Sequence, residues 1–264
     1  MRVHVALTPR EFPDLALDGR AALVVDVLRA TSMVVAACEA GCARVIPVAD
    51  AALARERAGG LAPEPVLLAG ERGGERIDGF DLGNSPLDCT PRRVGGRSIV
   101  LTTTNGTAAM LKASQAGAAA IAALTNVGAA VRWALSLDRD LTVLCAGDKG
   151  GFSLEDAVCA GLLAEGLARA PVGAKLSDAA QAARCLGVFY APRLDRLRHD
   201  SGWARHLEAR ARGADLDCCL RVDASAFVPI LAGGIITAGP RVLTLPAIGP
   251  DTRVGRPADQ GANP

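Results

Sequence analysis

Asp26 and Arg29 stand together in Asp26-Val27-Leu28-Arg29-Ala30-Thr31, directly after the apolar run Ala22–Val25. A carboxylate at that point is a natural ligand for Mg2+, which takes one or two carboxylates and fills its other positions with water and substrate oxygens. A guanidinium three residues on can clamp a phosphoryl or carboxylate group through two parallel hydrogen bonds. Three further polar loops also follow apolar runs. Gly70-Glu71-Arg72-Gly73-Gly74 adds Glu71 as an acid and Arg72 as a cation, and leads through Gly79 to Asp81-Leu82-Gly83-Asn84-Ser85-Pro86. Thr102-Thr103-Thr104-Asn105-Gly106-Thr107 runs from a strand into a helix, with Asn105-Gly106 turning the chain through a positive φ. Free N–H groups at a helix start, with hydroxyls beside them, make a ready anion site. The fourth loop, Cys145 to Asp156, ends on Ser153-Leu154-Glu155-Asp156. There a capping box accounts for Ser153 and Asp156, and Glu155 remains as the acid facing the rim. The candidate set is therefore Asp26, Arg29 and Glu71 for catalysis, and Arg72, Asn84, Thr104, Asn105, Gly106 and Thr107 for substrate. Asp26, Glu71, Glu155 and Asp156 are the candidates for metal. This is the composition of a metal-assisted site for a small anionic substrate.

Such groups need elements that bring them together. Apolar runs at Val3–Leu7, Ala22–Val27, Arg44–Val48, Val66–Ala69, Ser98–Thr102, Ala119–Ala123 and Leu141–Cys145 read as strands. Between them Thr31–Ala40, Ala51–Arg57, Thr107–Gln115 and Asn126–Leu137 read as helices. This alternation predicts an α/β fold: three layers, α/β/α, around a largely parallel or mixed sheet. Right-handed crossovers place the strand-to-helix loops along one edge, where ligands of open α/β sheets sit. The stretch of nineteen or so residues after Gly70 shows no obvious strand, and such loops inside a domain are usually either functional or disordered. Helical texture follows at Leu154–Ala168, Asp178–Leu186, Pro192–Arg198 and Gly202–Arg212, so residues 175–225 read as a C-terminal helical insertion or cap. Phe227–Leu231 and Arg241–Leu245 are candidate added strands. Residues 1–249 read as one domain and 250–264, which lack apolar periodicity, as a disordered tail.

Bulk properties narrow the function. The 264 residues carry a formal net charge of +1, without the clustered basic excess of a nucleic-acid binder. The longest apolar stretch, Ala226 to Ala238, is interrupted by Pro229, Gly233 and Gly234 and is too short to span a bilayer. With no secretory signal pattern at the amino terminus, the expected location is the cytoplasm. No Cys-x-x-Cys pair occurs among the eight cysteines, which favours buried thiols over disulfides or zinc. Cys38 and Arg44 have the spacing of a cysteine phosphatase, but Cys38 lies late in a helix rather than on a phosphate-cradling loop. Residue 28 is Leu, so the Asp-x-Asp of a haloacid-dehalogenase site is missing. A homodimer is expected, with no local signal for it.

Read together, the loops resemble the 2-phosphosulfolactate phosphatase family of the coenzyme M pathway. The resemblance covers roughly residues 1 to 235 and rests on Asp-Val-Leu-Arg-Ala-Thr, Gly-Glu-Arg-Gly-Gly, Gly-Phe-Asp-Leu-Gly-Asn-Ser-Pro, Thr-Thr-Thr-Asn-Gly-Thr and Phe-Ser-Leu-Glu-Asp. Asp215, Cys219, Asp223 and Val228-Pro229 also look like the family's later pattern. At Ser201-Gly202-Trp203-Ala204 an alanine stands where the family tends to have glycine. The resemblance implies a Mg2+-dependent phosphatase that hydrolyses (2R)-phospho-3-sulfolactate to 3-sulfolactate and phosphate. The residues alone leave open a phosphatase for another small phospho-acid, or a non-catalytic binder of a phosphorylated or sulfonated metabolite. They also leave open whether water or Asp26 attacks phosphorus.

Overall fold

Alternation along Ala21–Val25 sets the layers: all five residues are buried, and successive side chains enter different cores. The structure, a computed structural model, describes residues 1–171 and 173–239. Its strands are β1 (Arg2–Ala6), β2 (Ala21–Val25), β3 (Arg44–Pro47), β4 (Val66–Arg72), β5 (Glu75–Arg76), β6 (Ser98–Thr102), β7 (Ala118–Ala122), β8 (Leu141–Cys145), β9 (Lys175–Leu176), β10 (Ile230–Ala232) and β11 (Ile235–Thr237). The helices are α1 (Ala30–Glu39), α2 (Ala51–Gly59), α3 (Pro91–Val94), α4 (Gly106–Ala113), α5 (Val127–Ser136), α6 (Leu154–Ala168), α7 (Asp178–Tyr190), α8 (Leu197–Asp200), α9 (Gly202–Glu208) and α10 (Gly213–Cys219).

Leu23 and Val25 of β2 pack with Val143 of β8 against Val131 of α5 and Leu163 of α6. Ala22 and Val24 pack on the other side, against Met33 of α1 and Met110 of α4. This is the α/β/α layering, with buried strands reading as continuous apolar runs. A smaller cluster of Ile46, Ala54, Phe80 and Val100 fills the space under α2.

Strand order is β5-β4-β6-β3-β11-β10-β7-β2-β8-β1-β9. β7, β2, β8, β1 and β9 form one parallel block, and β4, β6 and β3 a second. The hairpin β10–β11 lies between them and pairs antiparallel with β7 on one side and β3 on the other. Three successive reversals make the two blocks run in opposite senses. The polar loops therefore do not line one edge of one parallel sheet; loops of the two blocks nevertheless touch, Gly106 packing against Asp26 and the Lys149 N–H donating to Asn105 Oδ1. The hairpin turns at Gly233-Gly234, whose φ values of 56° and 76° are those of a two-residue type I′ connection. The apolar run Phe227–Leu231 contributes only its last two residues to β10.

Other boundaries differ for local reasons. β4 continues to Arg72 and returns as β5, so Glu71 sits on a strand rather than in a long open loop. The stretch 192–198 divides into a tight turn and α8, and 202–212 ends early at α9, before α10 begins at Gly213. Arg241–Leu245 and the tail from 250 lie outside the described residues. All eight cysteines are free, and six are buried. Among the described residues no helix is long and apolar enough to cross a membrane.

The placement of α6, which carries Glu155, depends on a glycine contact with α7. A Cβ on Gly161 would run into the carbonyl oxygen of Ala183, and one on Gly187 would lie 2.6 Å from the Gly161 backbone. Gly161→Ala gains about 1 kcal/mol of helix propensity. Against this, overpacking of immobile backbone costs about 1–3 kcal/mol. The variant is expected to be less stable in urea melts; a gain would show that α6 and α7 do not touch here.

Candidate active site

Asp26 directly follows β2, and Thr31 fixes its backbone. The Asp26 N–H donates to Thr31 Oγ1 at 3.0 Å, and that hydroxyl donates to the Asp26 carbonyl at 2.8 Å. Ala30 N–H, at the start of α1, donates to Asp26 Oδ1 at 3.2 Å. The other oxygen faces α4: a Cβ on Gly106 would lie 2.5 Å from Asp26 Oδ2 and 2.6 Å from the Ala30 Cβ. Gly106 is thus required by close approach and not by a positive φ, which it does not have. Burial pushes the Asp26 carboxyl up to about 7; the Ala30 amide and Arg29 oppose the shift, and the charges of Glu71 and Glu155 add to it.

Glu71 comes from the second block. Its Oε2 accepts from Gly74 N–H and its Oε1 from Thr104 N–H, both at 2.7 Å, so it ties the β4–β5 turn to the loop after β6. Glu155, in the first turn of α6, accepts from the Ser201 hydroxyl at 2.7 Å. Burial raises its pKa most, the Ser201 bond works against that, and Asp148 contributes a further rise. Asp156 accepts from Val27 N–H at 2.8 Å and Gly147 N–H at 3.0 Å, fastening the ends of β2 and β8 together. Burial, then the charges of Asp26 and Glu155, hold its pKa well above the ordinary carboxylate range.

Arg29 is buried and points away from a simple clamp on Asp26. Its Nη1 pairs with Asp215 of α10, its Nη2 donates to the Gly74 carbonyl at 2.8 Å, and its Nε has no partner. Asp215 also accepts from Ser85 Oγ. Among the substrate candidates, Thr104 and Arg72 are exposed, and Arg72 donates to the Glu71 carbonyl and to Thr102 Oγ1. Thr107 is buried and its hydroxyl donates to the Thr103 carbonyl. Asn105 does not cap α4 with its side chain; its Oδ1 accepts from Lys149 N–H at 3.2 Å, linking the two blocks. Thr104 and Thr107 amides are taken by Glu71 and Thr103 Oγ1. The amides of Asn105 and Gly106 have no acceptor among the described residues and remain for an anion. Asn84 is buried with its Oδ1 unpartnered.

Residue types alone did not single out Ser201 as the partner of Glu155, nor Asp215 as the partner of both Arg29 and Ser85. Each partnership spans from 46 to 186 residues of chain. Ala204 is accommodated as an ordinary helical residue, its N–H donating to Ser201 Oγ at 3.1 Å.

The buried carboxylates Asp26, Glu71, Glu155 and Asp156 thus lie within reach of one another's charge, and the one buried guanidinium near Asp26, Arg29, is already paired with Asp215. Hard oxygen donors with excess negative charge fit a hard divalent cation. Among the described residues no three of His, Cys, Asp or Glu are close enough to enclose an ion. A cation here would have to be held by one or two carboxylates, with its other positions filled by water or substrate oxygens. A separate groove of about 520 Å3 beside Leu53 and Leu111 is largely apolar and lacks these groups.

The profile of the 2-phosphosulpholactate phosphatase family matches residues 6–234. A probable 2-phosphosulfolactate phosphatase of Caldanaerobacter subterraneus is 36% identical over 223 residues, covering 84% of this chain and 92% of that protein. One of Gloeobacter violaceus is 37% identical over 240 residues, covering 90% and 99%. One of Symbiobacterium thermophilum is 37% identical over 222 residues, covering 84% and 95%.

Proposed function

The chain belongs to the 2-phosphosulpholactate phosphatase family, and on that premise we propose that it is a Mg2+-dependent phosphatase converting (2R)-phospho-3-sulfolactate to 3-sulfolactate and phosphate. The observation that carries this reading is the meeting of Asp26, Glu71 and Glu155, from three remote segments, beside the unpaired amides of Asn105 and Gly106. Phosphate monoesters are among the slowest reactions to proceed unaided, so positioning and charge stabilisation must supply most of the acceleration.

In this reading Asp26 holds the cation with Glu71 or Glu155, and Asp156 keeps the two loops in place. Bound Mg2+ would neutralise charge on the phosphoryl oxygens. The Asn105 and Gly106 amides and the Thr104 hydroxyl receive those oxygens at the start of α4, where the helix dipole favours negative charge. Arg29 and the exposed Arg72 contact the substrate's other acidic groups. The phosphorus–ester oxygen bond breaks as a new bond forms from water or from an Asp26 oxygen. If water attacks, its proton passes to the departing alkoxide. If Asp26 attacks, the alkoxide takes a proton from solvent, and a water then cleaves the aspartyl phosphate to free phosphate. A phosphoenzyme trapped on Asp26 would select the second route.

Phosphate release should be measured across phosphorylated C3 acids with Mg2+ and with chelator. Release from phosphosulfolactate that disappears with chelator is the expected result. Saturable binding without release would make the protein a binder, and chelator-insensitive release would remove the metal from the reading.

A further inference from the structure

One short helix of the C-terminal part, α9, touches the supports of two site carboxylates that come from different blocks of the sheet. At its start the Ser201 hydroxyl accepts from Ala204 N–H at 3.1 Å and donates to Glu155 at 2.7 Å. Further along, the helix lies against the turn between β4 and β5. A Cβ on Gly74 would sit 3.7 Å from Trp203 Cζ2 and 3.8 Å from both His206 Nε2 and Leu207 Cδ2.

Hydrogen bonds fix how the His206 ring acts there. Arg210 Nη1 lies 2.9 Å from His206 Nδ1, and a guanidinium only donates, so Nδ1 is the acceptor. The ring hydrogen is therefore on Nε2, which donates to the Gly73 carbonyl at 3.3 Å. The imidazole also stacks on Trp203, with centroids 4.5 Å apart and planes 14° from parallel. Arg210 Nε in turn lies 3.7 Å from Glu75 Oε1 of β5. The contacts thus run from β5 through Arg210 and His206 back to the turn that precedes β5.

That turn carries groups of the site. Gly74 N–H donates to Glu71 Oε2 at 2.7 Å, and the Gly74 carbonyl accepts from Arg29 Nη2 at 2.8 Å. Gly73 and Gly74 have φ values of 61° and 89°. Two glycines in succession restrain the backbone least of any pair, so contacts from outside must hold the turn in place. Groups that fasten a ligating carboxylate by hydrogen bonds tune its hold on a metal.

We propose that His206 is a positioning residue for the metal site: by holding the Gly73 carbonyl it fixes the turn whose Gly74 N–H aims Glu71, the carboxylate that joins Asp26 in binding Mg2+. This rests on the phosphatase reading above and adds to it a role for α9. Through Ser201 and His206 the one helix keeps Glu155 and Glu71 in a common setting.

Two variants separate the hydrogen bond from the packing. His206→Phe keeps a ring on Trp203 and loses the donor. His206→Gln loses the ring and can bring its amide nitrogen to the place of Nε2. Mg2+ alone is titrated calorimetrically into the full chain freed of metal by chelator, and the Mg2+ concentration for half-maximal phosphate release is measured beside it. Loss of one hydrogen bond should weaken Mg2+ binding about threefold to tenfold in His206→Phe, with His206→Gln within about twofold of wild type. Half-maximal Mg2+ for turnover should rise by the same factors. The reverse order, Phe like wild type and Gln impaired, would assign His206 to packing and overturn the role. Equal weakening of both variants, or no change in either, would overturn it too. A wild-type protein that binds no Mg2+, or that binds it and releases no phosphate, would instead overturn the phosphatase reading and this role with it.

Discussion

Asp26→Asn is expected to abolish most turnover and at the same time to stabilise the metal-free protein at neutral pH. The first effect follows from removing a charged ligand at the point where the phosphoryl charge must be balanced, a loss on the order of 10^3-fold in kcat. The second follows from linkage. Asp26 titrates at about 7 in the folded chain against an ordinary value of 3.8. Between those values the folded state holds a proton that the unfolded state has released, so stability falls as pH rises through the window. Asp26 alone accounts for roughly 4 kcal/mol across it, at about 1.4 kcal/mol per pKa unit. Burial likewise raises Glu155 and Asp156, so their contributions have the same sign. Chemical denaturation of the chelated wild type should therefore give a higher unfolding free energy near pH 5 than near pH 7.5. Asn at position 26 should flatten that slope, and Mg2+ should restore wild-type stability at pH 7.5 but not that of the variant. A wild-type apo protein that is most stable above pH 7 would mean that these carboxylates are not buried together without a counter-ion.

Asp26 and Glu71 could be picked out as candidates because each lies at or just past the end of an apolar run. Both are brought to one place. Glu155 was separable from Ser153 and Asp156 only because a capping box needs the flanking residues and not the one between. The fold class was legible from the rhythm of buried runs, since each strand of an α/β sheet is apolar on both faces. What lay beyond reach was the direction of one half of the sheet. Gly233-Gly234 is a hairpin signal, but nothing near it says that the hairpin inserts between β3 and β7 and reverses the sense of a whole block. Nor does Thr107 differ in type from Thr104, although one hydroxyl is fastened to its own backbone and the other is exposed. Long-range pairs such as Ser201–Glu155 are fixed by tertiary packing and leave no periodic trace.

The pair that most needs its tertiary setting is Arg29–Asp215, whose side chains are 3% and 5% exposed. Asp215→Ala leaves a guanidinium buried with the Gly74 carbonyl as its remaining acceptor, and Ser85 loses its own acceptor as well. Breaking a buried pair from one side costs about 3–5 kcal/mol, because the remaining charge is uncompensated. Removing both charges together costs much less, so Arg29→Met combined with Asp215→Ala should be more stable than Asp215→Ala alone. Urea melts of the two single variants and the double variant measure this directly as a coupling energy. Asp215→Asn keeps an acceptor for Ser85 and part of the Arg29 contact, and should lie between wild type and Asp215→Ala. Because the proposed function has Arg29 contact the substrate's acidic groups, its release in Asp215→Ala should raise KM for the phosphorylated acid. A single Asp215→Ala variant that loses less than about 1 kcal/mol would place Arg29 in contact with water, since only an exposed pair is worth so little.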